Sequence, residues 1–234
     1  MLGPMFSGKS SELVHQINAY RAIARRVLVV NHAFDTRHDT YDVTTHDDVT
    51  PVAPRPVRVV PSGFGSAFTA VRTRVPALAA PPLNASVALL RLADLWTDPV
   101  HRAQLDAADV VCIDELQFFE DALEAVPRLC NDEGKHVVAA GLVADYRQRP
   151  FGDVLTLVAH ADDVVHCKAL CAACNDGTPG PFTQRLVADD AQVIVGANES
   201  YRAVCRRHYE AARATDEAVG YPYESDDDVA VVGV

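Results

Sequence analysis

The sequence predicts an α/β fold: a parallel sheet flanked by helices, with a small, differently built unit towards the carboxyl end. Three observations predict it. Short apolar runs rich in β-branched residues, at 26–30, 109–114 and 136–141, alternate with stretches of helical character, the rhythm of strands buried on both faces. A glycine-flanked loop at 3–10 opens directly into one of those helical stretches. From position 164 the rhythm breaks, and cysteines, glycines and prolines replace it.

The elements follow in order. Leu13, Val14, Ile17 and Tyr20 recur at helical spacing and predict a helix over 10–25. The run 26–30 is a buried strand. Residues 31–56 are polar and read as a long loop, with a second short strand at 57–60 and a helix at 66–74. The stretch 75–100 opens on an Ala/Pro-rich segment and reads as an atypical excursion from the domain. A short helix is expected at 98–106 and a strand at 109–114 that ends in acid. A helix follows over 116–131, with Gly134 just beyond its end, and then a strand at 136–141. The organisation expected is an α/β domain over 1–164, a cysteine-bearing unit over 165–212, and an acidic, mobile tail over 213–234.

Composition narrows the function. The 234 residues suffice for one α/β domain and a small appendage. With 49% hydrophobic and 23% charged residues the chain is not disordered. A net charge of −11 argues against binding to duplex nucleic acid, which needs clustered Lys and Arg. No apolar run is long enough to span a membrane, and positions 1–10 lack the pattern of a secretory signal. Six sparse, unevenly placed cysteines suit the reducing cytoplasm better than a disulfide scaffold.

Three motifs carry chemistry. Gly3-Pro4-Met5-Phe6-Ser7-Gly8-Lys9-Ser10 fills every signature position of G-x-x-x-x-G-K-[ST]. Its backbone N–H groups can curl around phosphate oxygens, Lys9 can bring charge to the terminal phosphates, and the Ser10 hydroxyl can ligate Mg²⁺. This makes the sheet P-loop NTPase-like. Such a loop follows a strand, yet only Met1 and Leu2 precede Gly3. The second motif is Val110-Val111-Cys112-Ile113-Asp114-Glu115. Asp114 at a strand end lies within reach of Mg²⁺, and Glu115 stands where a substrate hydroxyl would lose its proton. The third pairs Cys171-x-x-Cys174 with Cys205-x-x-His208, a tetrahedral Cys₃His set for a structural zinc, with Cys167 competing for the place of Cys171. Cys112 and Cys130 read as core thiols.

Together these segments resemble the zinc-containing (type II) thymidine kinase family. The likeness rests on 3–10, Asp35-Thr36-Arg37, Ile113-Asp114-Glu115-Leu116-Gln117-Phe118-Phe119, Arg149-Pro150-Phe151-Gly152 and the two knuckles, all in the family's order over 1–212. It implies ATP-dependent 5′-phosphorylation of thymidine. Gly3, Pro4, Met5, Phe6, Ser7, Gly8, Lys9 and Ser10 would hold the phosphates of ATP, with Asp114 holding Mg²⁺ and Asp35 supporting it or Arg37. Glu115 would be the general base, and Arg37 would face the charge developing on the phosphoryl group. Gln117 and Phe118 belong to the same segment on the acceptor side. Met5, Leu142 and Tyr146 match positions lining the base pocket, and Thr183, Gly196 and Tyr201 match positions near thymine and sugar. A lasso loop over 175–195 would be anchored on the zinc knuckles. The family also implies a homotetramer and feedback inhibition by thymidine triphosphate. Two departures stand out: Tyr146 replaces the usual Phe, and Val143 replaces an Asp.

Two rivals fit parts of the pattern. One is a P-loop ATPase whose zinc ribbon binds single-stranded nucleic acid. Between Cys174 and Cys205 there are only Arg185 and Arg202, with Phe182 and Tyr201, too few cations and rings for that work. The other is a non-catalytic nucleotide-binding homologue, against which Lys9, Asp114 and Glu115 all speak.

Overall fold

The computed structural model describes residues 1–33, 84–187 and 200–218. The strand expected at 57–60, the helix at 66–74, most of the expected tail, and Asp35, Arg37 and Gly196 lie outside them.

The phosphate-type loop leads into α1 (Lys9–Ala22), and β1 (Val27–His32) follows. Then come β2 (Asn84–Leu89), α2 (Asp94–Thr97), α3 (Pro99–Ala107) and β3 (Val110–Ile113). A 3₁₀ turn at Leu116–Phe118 precedes α4 (Ala122–Asn131) and β4 (His136–Ala139), and a short α5 (Val154–Leu157) closes this part. Strands β1 to β4 form one sheet in the order β2-β1-β3-β4, every pair parallel.

Alternation along the strands divides the core between the two faces of this sheet. Val27 and Val29 of β1, with Val110 and Cys112 of β3, pack on Leu13 and Ile17 of α1. Their neighbours Leu28, Val30, Val111 and Ile113 face the other way, onto Leu95, Leu105 and Leu129 of α2, α3 and α4. A one-residue slip of β1 would exchange the two sets and bury neither helix correctly.

The strand expected before the loop is present as a single-residue bridge. Leu2 pairs in parallel with Gly141 on one side and His166 on the other. Its N–H donates to the Val165 carbonyl, and its own carbonyl accepts from Cys167 N–H, both at 2.8 Å. Two expectations are corrected. The stretch 75–100 is not an excursion throughout: from Asn84 it is the edge strand of the sheet, in register with Val27–His32. The helix expected over 116–131 is broken at its start. The Leu116 N–H is drawn to the Ala140 carbonyl at 2.9 Å, which holds 116–118 in a tight turn against β4. The Asp121 carboxylate instead takes the N–H groups of Leu92 and Ala93, at 3.0 and 2.8 Å.

Beyond residue 164 the described strands are short and antiparallel. Strands β5 (Ala169–Leu170) and β6 (Pro179–Gly180) form one antiparallel pair, and β7 (Phe182–Arg185) and β8 (Tyr201–Val204) another, followed by α6 (Arg206–Ala218). The core here is small: Cys171, Val204 and Tyr209, with Phe182 and Ala173 against them.

Gly152 joins the sheet to the turn after β3. Its φ is +56°, and a Cβ there would lie 2.5 Å from the Gln117 carbonyl oxygen, a main-chain atom that cannot swing aside. Gly152→Ala is therefore expected to destabilise the fold by about 1–3 kcal/mol, read from urea unfolding. An unchanged unfolding midpoint would contradict this packing.

Candidate active site

The loop at 3–10 curls at the amino end of α1. Gly8 sits at φ 79° as the residue before the helix, and Glu12 N–H returns to its carbonyl at 2.9 Å. The Pro4 carbonyl accepts from the Ser7 hydroxyl at 2.8 Å and from Lys9 Nζ at 2.7 Å, so Lys9 folds back over the loop it serves. The N–H groups of a first helical turn have no partners within the helix, and with the helix dipole they make this end a seat for anions.

Asp114 lies just past the carboxyl end of β3 and is 5% exposed. Its carboxyl group is hydrogen-bonded to Ser10 of the loop and feels the charge of Lys9. The two motifs, about a hundred positions apart in sequence, thus meet at one point. Burial, and then the adjacent Glu115 carboxylate, push Asp114 up to about 7, against the lowering pull of the Glu115 N–H, Ser10 and Lys9.

Glu115 occupies the left-handed region, at φ 52° and ψ 43°, a conformation costly for a residue with a side chain. The turn directs its N–H back to Asp114 Oδ1 at 2.9 Å. Its Oε2 accepts from Gln117 Nε2 at 2.5 Å. Gln117 is buried and fixed at its other end, where Oε1 accepts the Leu142 N–H at 2.9 Å. The acid is therefore aimed by an amide that is itself clamped to the main chain. Phe118, next to Gln117, brings its ring to His32 at 5.4 Å and to Phe151, edge-on, at 5.5 Å.

Several of the remaining predicted residues are linked to the β7–β8 hairpin. The Met5 N–H donates to Thr183 Oγ1 at 3.1 Å, tying the phosphate-type loop to β7. Tyr201 stands opposite Arg185 in the β7–β8 register. Tyr146 projects from a turn whose backbone is held by the buried Asp145 carboxylate, which accepts from the N–H groups of Arg147 and Arg149 at 2.8 and 3.0 Å and pairs with the Arg149 side chain. Of the predicted base- and sugar-side residues, only Gly196 lies outside the described ones.

Sequence reasoning overlooked Asp145, Arg185 and Tyr209. Arg185 stacks on the Tyr146 ring, 3.6 Å from its centroid, and donates to the Tyr201 hydroxyl at 2.7 Å. Tyr209 donates its hydroxyl to the Tyr146 carbonyl at 2.7 Å. The available signal was period-two alternation: Thr183 and Arg185 share a strand face.

The Cys₃His set assembles. Cys171, Cys174, Cys205 and His208 bring one ligand atom each within 4.8 Å of one another. His208 Nδ1 stands 3.5, 3.4 and 3.3 Å from the three sulfurs, and Cys174 Sγ is 3.8 Å from Cys205 Sγ. Bond lengths for tetrahedral zinc imply edges of about 3.8 Å between sulfurs and about 3.6 Å between sulfur and nitrogen, so the cage fits such an ion. Burial opposes charge on Cys171, but N–H groups of Cys205 and Cys174 and the His208 ring outweigh it and bring the thiol down to about 6. Cys167 is not a member. No helix among the described residues is long and apolar enough to cross a membrane.

A phosphate-cradling loop facing a strand-end carboxylate pair defines a P-loop nucleotide-binding protein. The comparisons make the class particular. The family model for thymidine kinase matches residues 1–57 and 87–209. The thymidine kinase of Deinococcus deserti is 35% identical over 219 residues, covering 91% of this chain and 94% of its own. That of Pyrobaculum aerophilum is 32% identical over 217 residues, 89% and 96%. Thymidine kinase a of Arabidopsis thaliana is 34% identical over 212 residues, 89% and 73%. The chain belongs to the thymidine kinase family.

The raised Asp114 carries a pH dependence. The folded chain holds this proton more tightly than the unfolded chain, where the group titrates near 3.8. The resulting stabilisation is complete below that value and is lost as the pH rises through about 7. Asp114→Asn is thus expected to gain melting temperature relative to the parent, without ligands, as the pH goes from about 4 to about 8. Parallel melting curves across that range would contradict it.

Proposed function

We propose that this chain transfers the γ-phosphoryl group of ATP to the 5′-hydroxyl of thymidine, a step of deoxynucleoside salvage. The observation that carries this reading is the meeting of Ser10 and Asp114, with Glu115 aimed beside them by Gln117. Family membership supplies the substrates.

The roles follow from position. Gly3 to Ser10 would receive the ATP phosphates, with Lys9 swinging from the Pro4 carbonyl onto them. Ser10 and Asp114, which interact with one another, are the groups that would hold Mg²⁺. When bound, the ion supplies positive charge to the β- and γ-phosphate oxygens. Glu115 accepts the proton of the 5′-hydroxyl as that oxygen bonds to phosphorus, and ADP leaves with the electron pair of the broken bond. Arg37 would meet charge developing on the phosphoryl oxygens, supported by Asp35. Met5, Leu142, Tyr146 and Phe118 would enclose the base, and Thr183, Gly196 and Tyr201 the base and sugar. Positioning and charge, rather than covalent chemistry, account for the acceleration.

The Cys171, Cys174, Cys205 and His208 cage would hold zinc as a closed, structural site, anchoring a lasso over 175–195. The division at 164 into a nucleotide-binding domain and this zinc unit, a homotetramer, feedback by thymidine triphosphate and a cytoplasmic location complete the reading.

A coupled ATP-consumption assay across the natural nucleosides tests it: thymidine should be the preferred acceptor, and no product from any nucleoside would refute it. Glu115→Gln should lower turnover by about 10²-fold or more while leaving ATP binding intact. Full turnover in that variant would remove Glu115 from the mechanism. Purified protein should carry about one zinc per chain, and Cys205→Ser should lose it with a marked fall in melting temperature. Retention of zinc in the variant would count against the cage.

A further inference from the structure

Reading Tyr146 as part of the nucleoside site leaves open what fixes its ring. The ring is half-buried and borne on a turn, and its own neighbour Arg147 approaches it at 5.2 Å. Two further residues tie it to distant parts of the chain. Arg185, only 9% exposed, lays its guanidinium 3.6 Å from the ring centroid and anchors Nη2 on the Tyr201 hydroxyl. It shares a buried face of the β7–β8 hairpin with Thr183, the residue that holds the Met5 N–H. Tyr209, 3% exposed, grips the carbonyl of Tyr146 from α6, one position after His208.

We infer that Arg185 and Tyr209 are positioning residues of the nucleoside site: the first fixes the plane of the Tyr146 ring, the second the main chain that carries it. This rests on the reading of Tyr146 as a base-lining residue. The guanidinium suits the task because it is planar and weakly hydrated and can stack while its edge donates. Its aromatic partners come from two separate pieces of chain, the turn at 145–149 and β8, so the stack closes the nucleoside side around a fixed cation. Tyr209 follows directly on a ligand of the Cys/His cage, so the cage also determines where the base-lining turn sits.

The test is steady-state kinetics on the full chain, with thymidine and ATP varied separately and zinc content and melting temperature recorded. Arg185→Met and Tyr209→Phe should each raise the KM for thymidine, by about tenfold for the arginine. KM for ATP and kcat should stay within about twofold, with zinc content unchanged. Arg185→Lys should recover part of the loss, since it keeps the charge but not the planar stack. In a Tyr146→Ala background, Arg185→Met should raise the thymidine KM by clearly less than in the parent, because the ring it holds is gone and only its bond to Tyr201 remains to be lost. Should Arg185→Met not fold, Arg185→Lys and Tyr209→Phe carry the same test. The inference is overturned if Tyr146→Ala raises the thymidine KM while the positioning variants do not, and the site reading then survives. It is also overturned if both KM values rise together. If Tyr146→Ala itself leaves the thymidine KM unchanged, the assignment of Tyr146 to the site fails, and the inference with it.

Discussion

A carboxyl group almost wholly withdrawn from water, at the end of the third strand, is the constraint to which the rest of the site answers. Desolvating Asp114 is unfavourable unless polar partners surround it. The fold supplies Ser10 from the loop and the N–H of Glu115, and Lys9 adds its field. Accepting that N–H forces Glu115 into left-handed backbone, which ends the strand and starts the tight turn at Leu116–Phe118. The turn delivers Gln117 to its clamp between Glu115 and Leu142. Sheet order matters as well. Because β3 lies between β1 and β4, its carboxyl end opens beside Gly141 and the loop preceding α1. This is the edge where open α/β sheets place their ligands.

Much of this was legible because it is local. A loop that cradles phosphate needs its glycines, lysine and serine in one short string, and a buried strand needs consecutive β-branched residues. Both survive as patterns. The zinc-type ligands were legible for the same reason, since each knuckle is a short loop. The choice between Cys167 and Cys171 was not, because it depends on Cys167 N–H being taken by Leu2. The strand at Asn84–Leu89 escaped notice because Asn, Ala and Ser carry little β-preference and the run follows a proline-rich stretch. Its place is set by six residues of register with β1, a long-range fact. The over-long helix shows the opposite error: periodicity was right for Ala122–Asn131, while tertiary hydrogen bonds decided its beginning.

The carboxyl-terminal unit shows why a small fold needs its cage. Among its described residues the packed apolar cluster is Cys171, Val204 and Tyr209, with Ala169, Tyr201 and Ala203 also buried, too little to repay chain ordering by hydrophobic burial alone. Four side chains placed to share one metal ion stand where further core would otherwise be needed. Two of the three cluster residues have second duties, Cys171 as a ligand and Tyr209 as the hydroxyl that reaches Tyr146. Structure and function are not separable there.

The bond from the Met5 amide to Thr183 joins the loop before α1 to the β7–β8 hairpin. Anything that shifts this contact is felt at both ends. Thermodynamic reciprocity then demands that whatever factor nucleotide occupancy imposes on nucleoside affinity be returned unchanged in the reverse direction. Two ligands bound at the two ends of such a strut would share a single coupling constant.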